Sequence, residues 1–312
     1  MNNILAQVSP LVSTQVQAQI PVSKTIFDSA FAVYGLVDYV GNGGNVARFN
    51  NSGATTAERD FTAAELVDGS TYNTWLNGAS TAATKVVKLY EQRGDSDLDI
   101  YNTSAGASPN YESSENTIRF DQSGYFQYSN LINTTATTKI KAAFEDNTTA
   151  NDTTIIIGAR KKDNTLYGLP ASGRTLFALR DTYTPSYAYN AKHKAMTIKS
   201  AMYSDDIAVS VRDNDNEFVL KEHTTFDHST LKTYIAEIAR VPNPSTNLTD
   251  MNLFINGTQE VDFQSTDIGN DIDSGNILLG ENRFIMKGAM LFNKILTPEE
   301  KTELQTRMAL DY

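Results

Sequence analysis

Short runs in which apolar and polar residues alternate recur along most of this chain, and their period of two marks them as half-buried strands. They fall at Ala32 to Leu36, Lys85 to Tyr90, Thr117 to Phe120, Thr153 to Arg160, Thr175 to Arg180, Ala195 to Ile198, Ile207 to Arg212, Phe218 to His223 and Thr233 to Ala239. Turns rich in Asn, Asp and Gly separate them. Many short strands with such spacers predict an all-β protein of two packed antiparallel sheets. Helix-forming residues Ala63, Ala64, Glu65 and Leu66 predict one short helix near Thr62 to Val67.

The last sixty residues carry the densest signals. Met251 to Ile255 alternates, with Leu253 and Ile255 on one face and Asn252 and Phe254 on the other, and Asn256-Gly257 supplies the positive φ angles of a two-residue hairpin turn. Val261 and Phe263 share a face of the return strand. Ile277-Leu278-Leu279-Gly280 and the run Phe284 to Phe292 follow as two more strands. Thr297-Pro298-Glu299-Glu300 then opens a terminal helix: Thr297 caps it, Pro298 fits the first helical position, and Glu300 completes a capping box. Leu304 and Met308, four apart, are the residues that pin this helix down. Glu303 and Arg307 are expected to form a surface pair worth a few tenths of a kcal/mol.

Residues 1 to 24 read differently. Val8, Val12, Val16, Ala18, Ile20 and Val22 lie among polar residues, and from Val16 to Val22 the alternation is strict. We expect an extended N-terminal arm over 1–24, with one apolar face that needs a surface, followed by one β-sandwich domain over 25–312. The two readings of the arm are an edge strand or frayed terminus of the same domain, and an anchor into a partner assembly. No linker marks a second domain. The arm lacks an early Lys or Arg and an unbroken apolar run, so it does not read as a signal peptide.

This order of elements resembles the closing segment of laminin G-like domains: an Asn-Gly hairpin, a Leu-Leu-Gly strand, a Gly-Ala-Met-Leu-Phe strand and a Leu-Thr-Pro-Glu-Glu helix. Those domains belong to the concanavalin A-like lectin and glucanase group, and the resemblance implies a jelly-roll sandwich of two antiparallel sheets with a short C-terminal helix. The front half adds a second resemblance. Ala32-Val33-Tyr34-Gly35-Leu36, Val46-Ala47-Arg48, Asp60 to Gly69, Thr74-Trp75, Val86 to Gly94 and Ala107 to Tyr111 look, in that order, like a block at the front of the arabinofuranosidase-type sandwich. In that order they also resemble many phage and virus structural proteins in which the block precedes a laminin G-like ending. Tyr90, Gln92, Gly94 and Pro109 match the usual text, Tyr-Asp-Gln-Ser-Gly and a later Pro, whereas Glu91 and Arg93 depart from it.

Composition narrows the chemistry. The 312 residues hold 26 basic and 37 acidic side chains, a formal charge of −11, without a basic cluster dense enough to track phosphates, so nucleic acid is not expected as a partner. Cysteine is absent, which removes disulfides and thiolate sites. With only three histidines, His223 and His228 beside Asp227 do not make a zinc site. No apolar stretch is long enough to span a bilayer. Asn-x-Ser/Thr triplets at Asn50, Asn102, Asn133, Asn147, Asn151, Asn247 and Asn256 reflect an Asn- and Thr-rich composition rather than glycosylation.

A glycosidase needs two facing carboxyl groups. Asp121, Asp181, Asp227, Glu237, Glu260 and Glu281 are the candidates, and no pair among them stands out, so no catalytic residue is assigned. Asp213-Asn214-Asp215-Asn216-Glu217 has the oxygen spacing of a calcium loop, but Phe218 stands where such a loop needs Gly, and a hairpin turn between the flanking strands is expected. The link 267–275 reads as a polar connection, Gly41, Gly43 and Gly44 as a turn, and Trp75 as core. No cofactor is expected, and calcium has no support.

Tyr183, Tyr187 and Tyr189, in a loop and strand start, are the ligand-binding candidates, since flat rings flanked by Asn and Asp stack against sugar C–H faces. The alternative for them is covering the rim of the sandwich. The expected function is a virion-associated structural or adhesion protein, on a phage capsid or tail, that presents the jelly roll to glycans and docks to other virion proteins through residues 1–24. The alternatives are a glycoside hydrolase of arabinofuranosidase type and a bacterial surface lectin. A homo-oligomer is a further expectation for such a virion protein, although the residues carry no direct signal for it.

Overall fold

A computed structural model describes residues 24–102, 109–120, 126–127, 134–144, 152–161, 174–180, 196–200, 207–212, 218–223, 230–240, 249–265, 276–280 and 284–309. The front of the chain contributes α1 (Lys24–Asp28), β1 (Ala32–Gly35), β2 (Asn45–Asn50), β3 (Glu58–Thr62), α2 (Ala63–Asp68) and α3 (Ser70–Leu76). Next come β4 (Lys85–Leu89), β5 (Ile100–Tyr101), β6 (Asn110–Glu112), β7 (Thr117–Arg119), β8 (Phe126–Gln127) and α4 (Thr134–Phe144). The middle is β9 (Thr153–Lys161), β10 (Arg174–Arg180), β11 (Met196–Ser200), β12 (Ile207–Arg212), β13 (Phe218–His223) and β14 (Lys232–Arg240). The chain closes with β15 (Thr249–Ile255), β16 (Thr258–Ser265), β17 (Asn276–Leu279), β18 (Phe284–Phe292) and α5 (Pro298–Ala309).

Every strand pairing is antiparallel. One sheet runs β16–β15–β14–β9–β18, and the far edge of β18 takes β1 along Gly288 to Leu291 and β7 at Ile285 and Met286. The other runs β13–β12–β11–β10–β17–β8–β5–β4–β2–β3. A short bridge, β7–β6–β4, joins the two. Between them lies the main core, which takes Ile155 and Ile157 from β9, Leu291 from β18, and Phe177, Leu179, Ile198 and Val209 from the opposite sheet.

Along β9, β14 and β18 the first sheet is buried on its outer face as well. Ile156, Ile235, Met290 and Phe292 alternate with the core residues and point the other way, into a second cluster completed by Phe27 of α1 and by Leu304 and Met308 of α5. All nine residues of β18 are therefore buried, which explains why its sequence reads as a continuous apolar run instead of an alternation. Lys24, the last residue assigned to the arm, opens α1; residues 1–23 lie outside the described residues.

Local sequence signals act at the positions that carry them. Asn256 and Gly257 have φ of 48° and 88°, and Asn256 Oδ1 accepts from Thr233 N at 2.9 Å. Thr297 and Glu300 exchange both bonds of the capping box, at 2.9 and 3.2 Å. A second capping box, Thr62 with Glu65, opens α2, and Gly69 closes it in the left-handed conformation. Arg307 corrects one expectation. Its guanidinium bonds Glu303 at 2.9 Å but lies buried, 5.1 Å from the centre of the Phe27 ring, so it seals α5 against α1 instead of standing on the surface. No helix among the described residues is long and apolar enough to cross a membrane.

Gly280, after β17, has φ of 80°, and a Cβ there would overlap the Phe120 ring, which stacks on Phe284 at 4.5 Å. Gly280→Ala combines a strained backbone with an overpacked core, and we expect a loss of about 3 kcal/mol, read from the midpoint of denaturant unfolding.

Candidate functional site

The outward face of the second sheet carries a row of polar side chains that register alone assembles. Arg48 of β2 stands opposite Asp60 of β3 on one side and Lys88 of β4 on the other. Lys88 in turn stands opposite Tyr101 of β5, which faces the position of Gln127 on β8. Residues directly opposite each other in antiparallel strands share a face, so Asp60, Arg48, Lys88 and Tyr101 form one line across four strands. Tyr90, just past β4, joins it.

The line is held in place by its own contacts. Arg48 Nε donates to Asp60 Oδ1 at 2.6 Å, and its Nη2 reaches Asp60 Oδ2 at 3.1 Å and the Tyr90 hydroxyl at 3.3 Å. The guanidinium holds the Asp60 carboxyl below the usual carboxylate range. Lys88 Nζ lies 2.8 Å from Asp99 Oδ2, 3.9 Å from the centre of the Tyr90 ring and 5.0 Å from that of Tyr101. Burial pushes the Asp99 carboxyl up, and Lys88 offsets only part of that. Tyr101 is 38% exposed and, with Val67, is one of two large apolar side chains left open among the described residues. An exposed aromatic ring flanked by fixed donors and acceptors is the surface that stacks on a sugar ring while its hydroxyls are hydrogen-bonded.

Behind this face other residues of the front block serve architecture. Gln92 is buried, accepts from Tyr39 N at 2.9 Å and donates to the carbonyls of Gly35 and Val37 at 3.1 and 2.8 Å. Glu91, one of the two departures from the block's usual text, accepts from the backbone of Val33, Arg93 and Asp95 at 3.0 to 3.1 Å. Its longer side chain still serves as a hub for the loop after β4, although burial raises its carboxyl above the ordinary range. Arg93, the other departure, donates to the carbonyls of Ala30 and Phe31. Asp38 accepts from the amides of Gly41 and Gly43 at 2.7 and 2.9 Å, which makes the glycine stretch a self-capped turn.

Tyr183, Tyr187 and Tyr189 lie outside the described residues, as do Asp121, Asp181, Asp227, His228, Glu281, the turn 213–217 and the link 267–275. The strands flanking that turn, β12 and β13, pair as a hairpin from Ile207 with His223 to Arg212 with Phe218. Of the two remaining acid candidates, Glu260 is the extra residue of a bulge in β16, between the pairs formed by Gln259 and Val261. Glu237 lies 2% exposed beneath α5, with Oε2 2.7 Å from Lys301 Nζ, and burial pushes its carboxyl up. Lys301 also covers the Phe254 ring at 3.9 Å, so the pair clamps the helix to the sheet. Trp75 is core: it packs on Phe61 and Tyr72, and its Nε1 donates to Thr56 O at 2.9 Å. Sequence reasoning missed the Arg48 row because no segment contains it. Arg48, Asp60, Lys88 and Tyr90 all fall within the front block, but nothing in the sequence sets them side by side; that takes the order of the strands.

The two ion pairs of the row differ in consequence. Arg48 and Asp60 are each about a third exposed, so Arg48→Gln should cost less than about 1 kcal/mol. Lys88 and Asp99 are 11% and 4% exposed, and Lys88→Met leaves a buried carboxylate unpaired, a loss of about 3 kcal/mol at pH 7. Because the Asp99 carboxyl is raised in the folded protein, its charged form destabilises above that raised value. The deficit of Lys88→Met should narrow as pH falls through it, which urea unfolding over a descending pH series from pH 7 will register.

No family profile matches the sequence, and no curated protein is similar to it in sequence. Solved structures do match. A GH54 α-L-arabinofuranosidase soaked with a cyclic sulfate inhibitor superposes with a TM-score of 0.60 at 9% identity, covering 91% of this chain and 64% of that one. An arabinofuranosidase complexed with arabinofuranosyl-α-1,2-xylobiose gives 0.59 at 8% identity over the same shares. The binding domain of botulinum neurotoxin serotype G gives 0.45 at 10% identity, over 69% of this chain and 49% of that one. The chain thus spans somewhat less than two thirds of the length of the arabinofuranosidases it matches. The likeness to the arabinofuranosidases shows the fold alone: a sandwich of antiparallel sheets with a short C-terminal helix.

Proposed function

We propose that this chain is a non-catalytic, carbohydrate-binding sandwich displayed on a virion, docked to other particle proteins through residues 1–24. The observation that carries the binding role is the outward row of Asp60, Arg48, Lys88 and Tyr101, ordered by its own ion pairs and ending on an exposed ring. Support for binding over hydrolysis comes from the acids. The buried acids among the described residues are Glu91, Asp99 and Glu237, and each is engaged by backbone amides or a lysine. The virion setting rests on the resemblance of the front block to phage and virus structural proteins and on the alternating apolar residues of the arm.

Hydrolysis of arabinosides is the second reading, favoured by the likeness to arabinofuranosidases over 91% of the chain. A bacterial surface lectin shares the binding chemistry and differs only in setting. Two measurements separate these readings. Incubation with nitrophenyl arabinofuranosides, arabinoxylan and bacterial polysaccharides is expected to release no sugar; release would make the chain an enzyme. Removing residues 1–24 is expected to lower incorporation into purified particles by at least tenfold while the sandwich stays folded. Unchanged incorporation would contradict the docking role of the arm.

A further inference from the structure

The row also limits which glycan it can take. Each cation in it already faces an anion: Arg48 is bonded to Asp60 and lies 4.0 Å from Glu58, and Lys88 is bonded to Asp99. Counting those five groups leaves one negative charge in surplus, on a chain whose formal charge is −11. A carboxylated or sulfated sugar approaching this face meets no uncommitted cation there and a repulsive field around it. Uncharged hydroxyls, by contrast, can share the outward lone pairs of Asp60 and the remaining N–H groups of Arg48 without breaking either pair.

Shape adds a second limit. From β3 to β5 the row crosses three inter-strand spacings of about 4.8 Å each, or roughly 14 Å. That length matches a short run of sugar units rather than a single ring. The direction of the line, across the strands, sets the direction of the bound chain, with Tyr101 as the stacking platform at one end and Asp60 at the other.

We infer that this face binds an internal stretch of an uncharged polysaccharide, laid across β3, β2, β4 and β5, and discriminates against acidic glycans. The inference rests on the binding role proposed above and specifies its ligand class. Calorimetric titration of the full chain with xylose, xylohexaose, arabinan oligosaccharides, polygalacturonate and hyaluronan tests it, with Tyr101→Ala and Arg48→Gln as variants on exposed or half-exposed positions. The expected result is binding of at least one neutral hexamer or longer chain, at least tenfold weaker binding of the monosaccharide, and none of the acidic polymers. Tyr101→Ala should weaken the neutral ligand by at least tenfold with an unchanged unfolding midpoint. Tighter binding of polygalacturonate or hyaluronan, or of the single sugar, would overturn this inference and leave the binding role standing. Neutral binding indifferent to both variants would remove this face as the site, and no binding by any probe would remove the binding role itself.

Discussion

Burial of β18 on both faces is the constraint on which the rest of the structure depends. Phe284, Met286, Ala289 and Leu291 face the core between the sheets, while Met290 and Phe292 face the cluster under α1 and α5. A strand in that position has no solvent side, so a one-residue slip would exchange two different apolar environments and every contact would change. Its register with β9 along one edge and with β1 and β7 along the other therefore fixes three neighbours at once. Through β7 and β6 the constraint reaches β4, and β4 carries Lys88 at the centre of the outward row.

That chain of registers links the core to the candidate site. Nothing local puts Arg48 beside Lys88; a bulge after Arg48 sets which residue of β4 it meets. Behind the row, Glu91 and Gln92 fasten the loop after β4 to β1 with buried hydrogen bonds, so the same residues that close the sandwich hold Tyr90 and Asp99 around Lys88. A binding surface on such a base is ordered before its ligand arrives, which lowers the entropic cost of association.

Local signals made the fold legible in the sequence. Asn256-Gly257 and the Thr297–Glu300 box act within four residues, and the alternating runs mark strands wherever one face is apolar. Those signals placed the closing hairpin, the terminal helix and the strand segments, and the likeness in fold to an arabinofuranosidase was legible in the front block. The candidate site was not legible, because its members come from four strands and meet only through sheet order. Arg307 escaped for a related reason: spacing gave its partner Glu303, while its burial depends on Phe27 from the other end of the chain. Tyr183, Tyr187 and Tyr189 were legible as a cluster of rings but lie outside the described residues.

Chemical-shift mapping of the isotope-labelled protein with a neutral hexasaccharide such as xylohexaose tests the central claim most directly, since it reports where a ligand sits without reference to affinity. The account predicts perturbations that follow a line through Asp60, Arg48, Lys88 and Tyr101 and leave β14, β15 and α5 unmoved. Perturbations confined to 181–195, with the row silent, would contradict it.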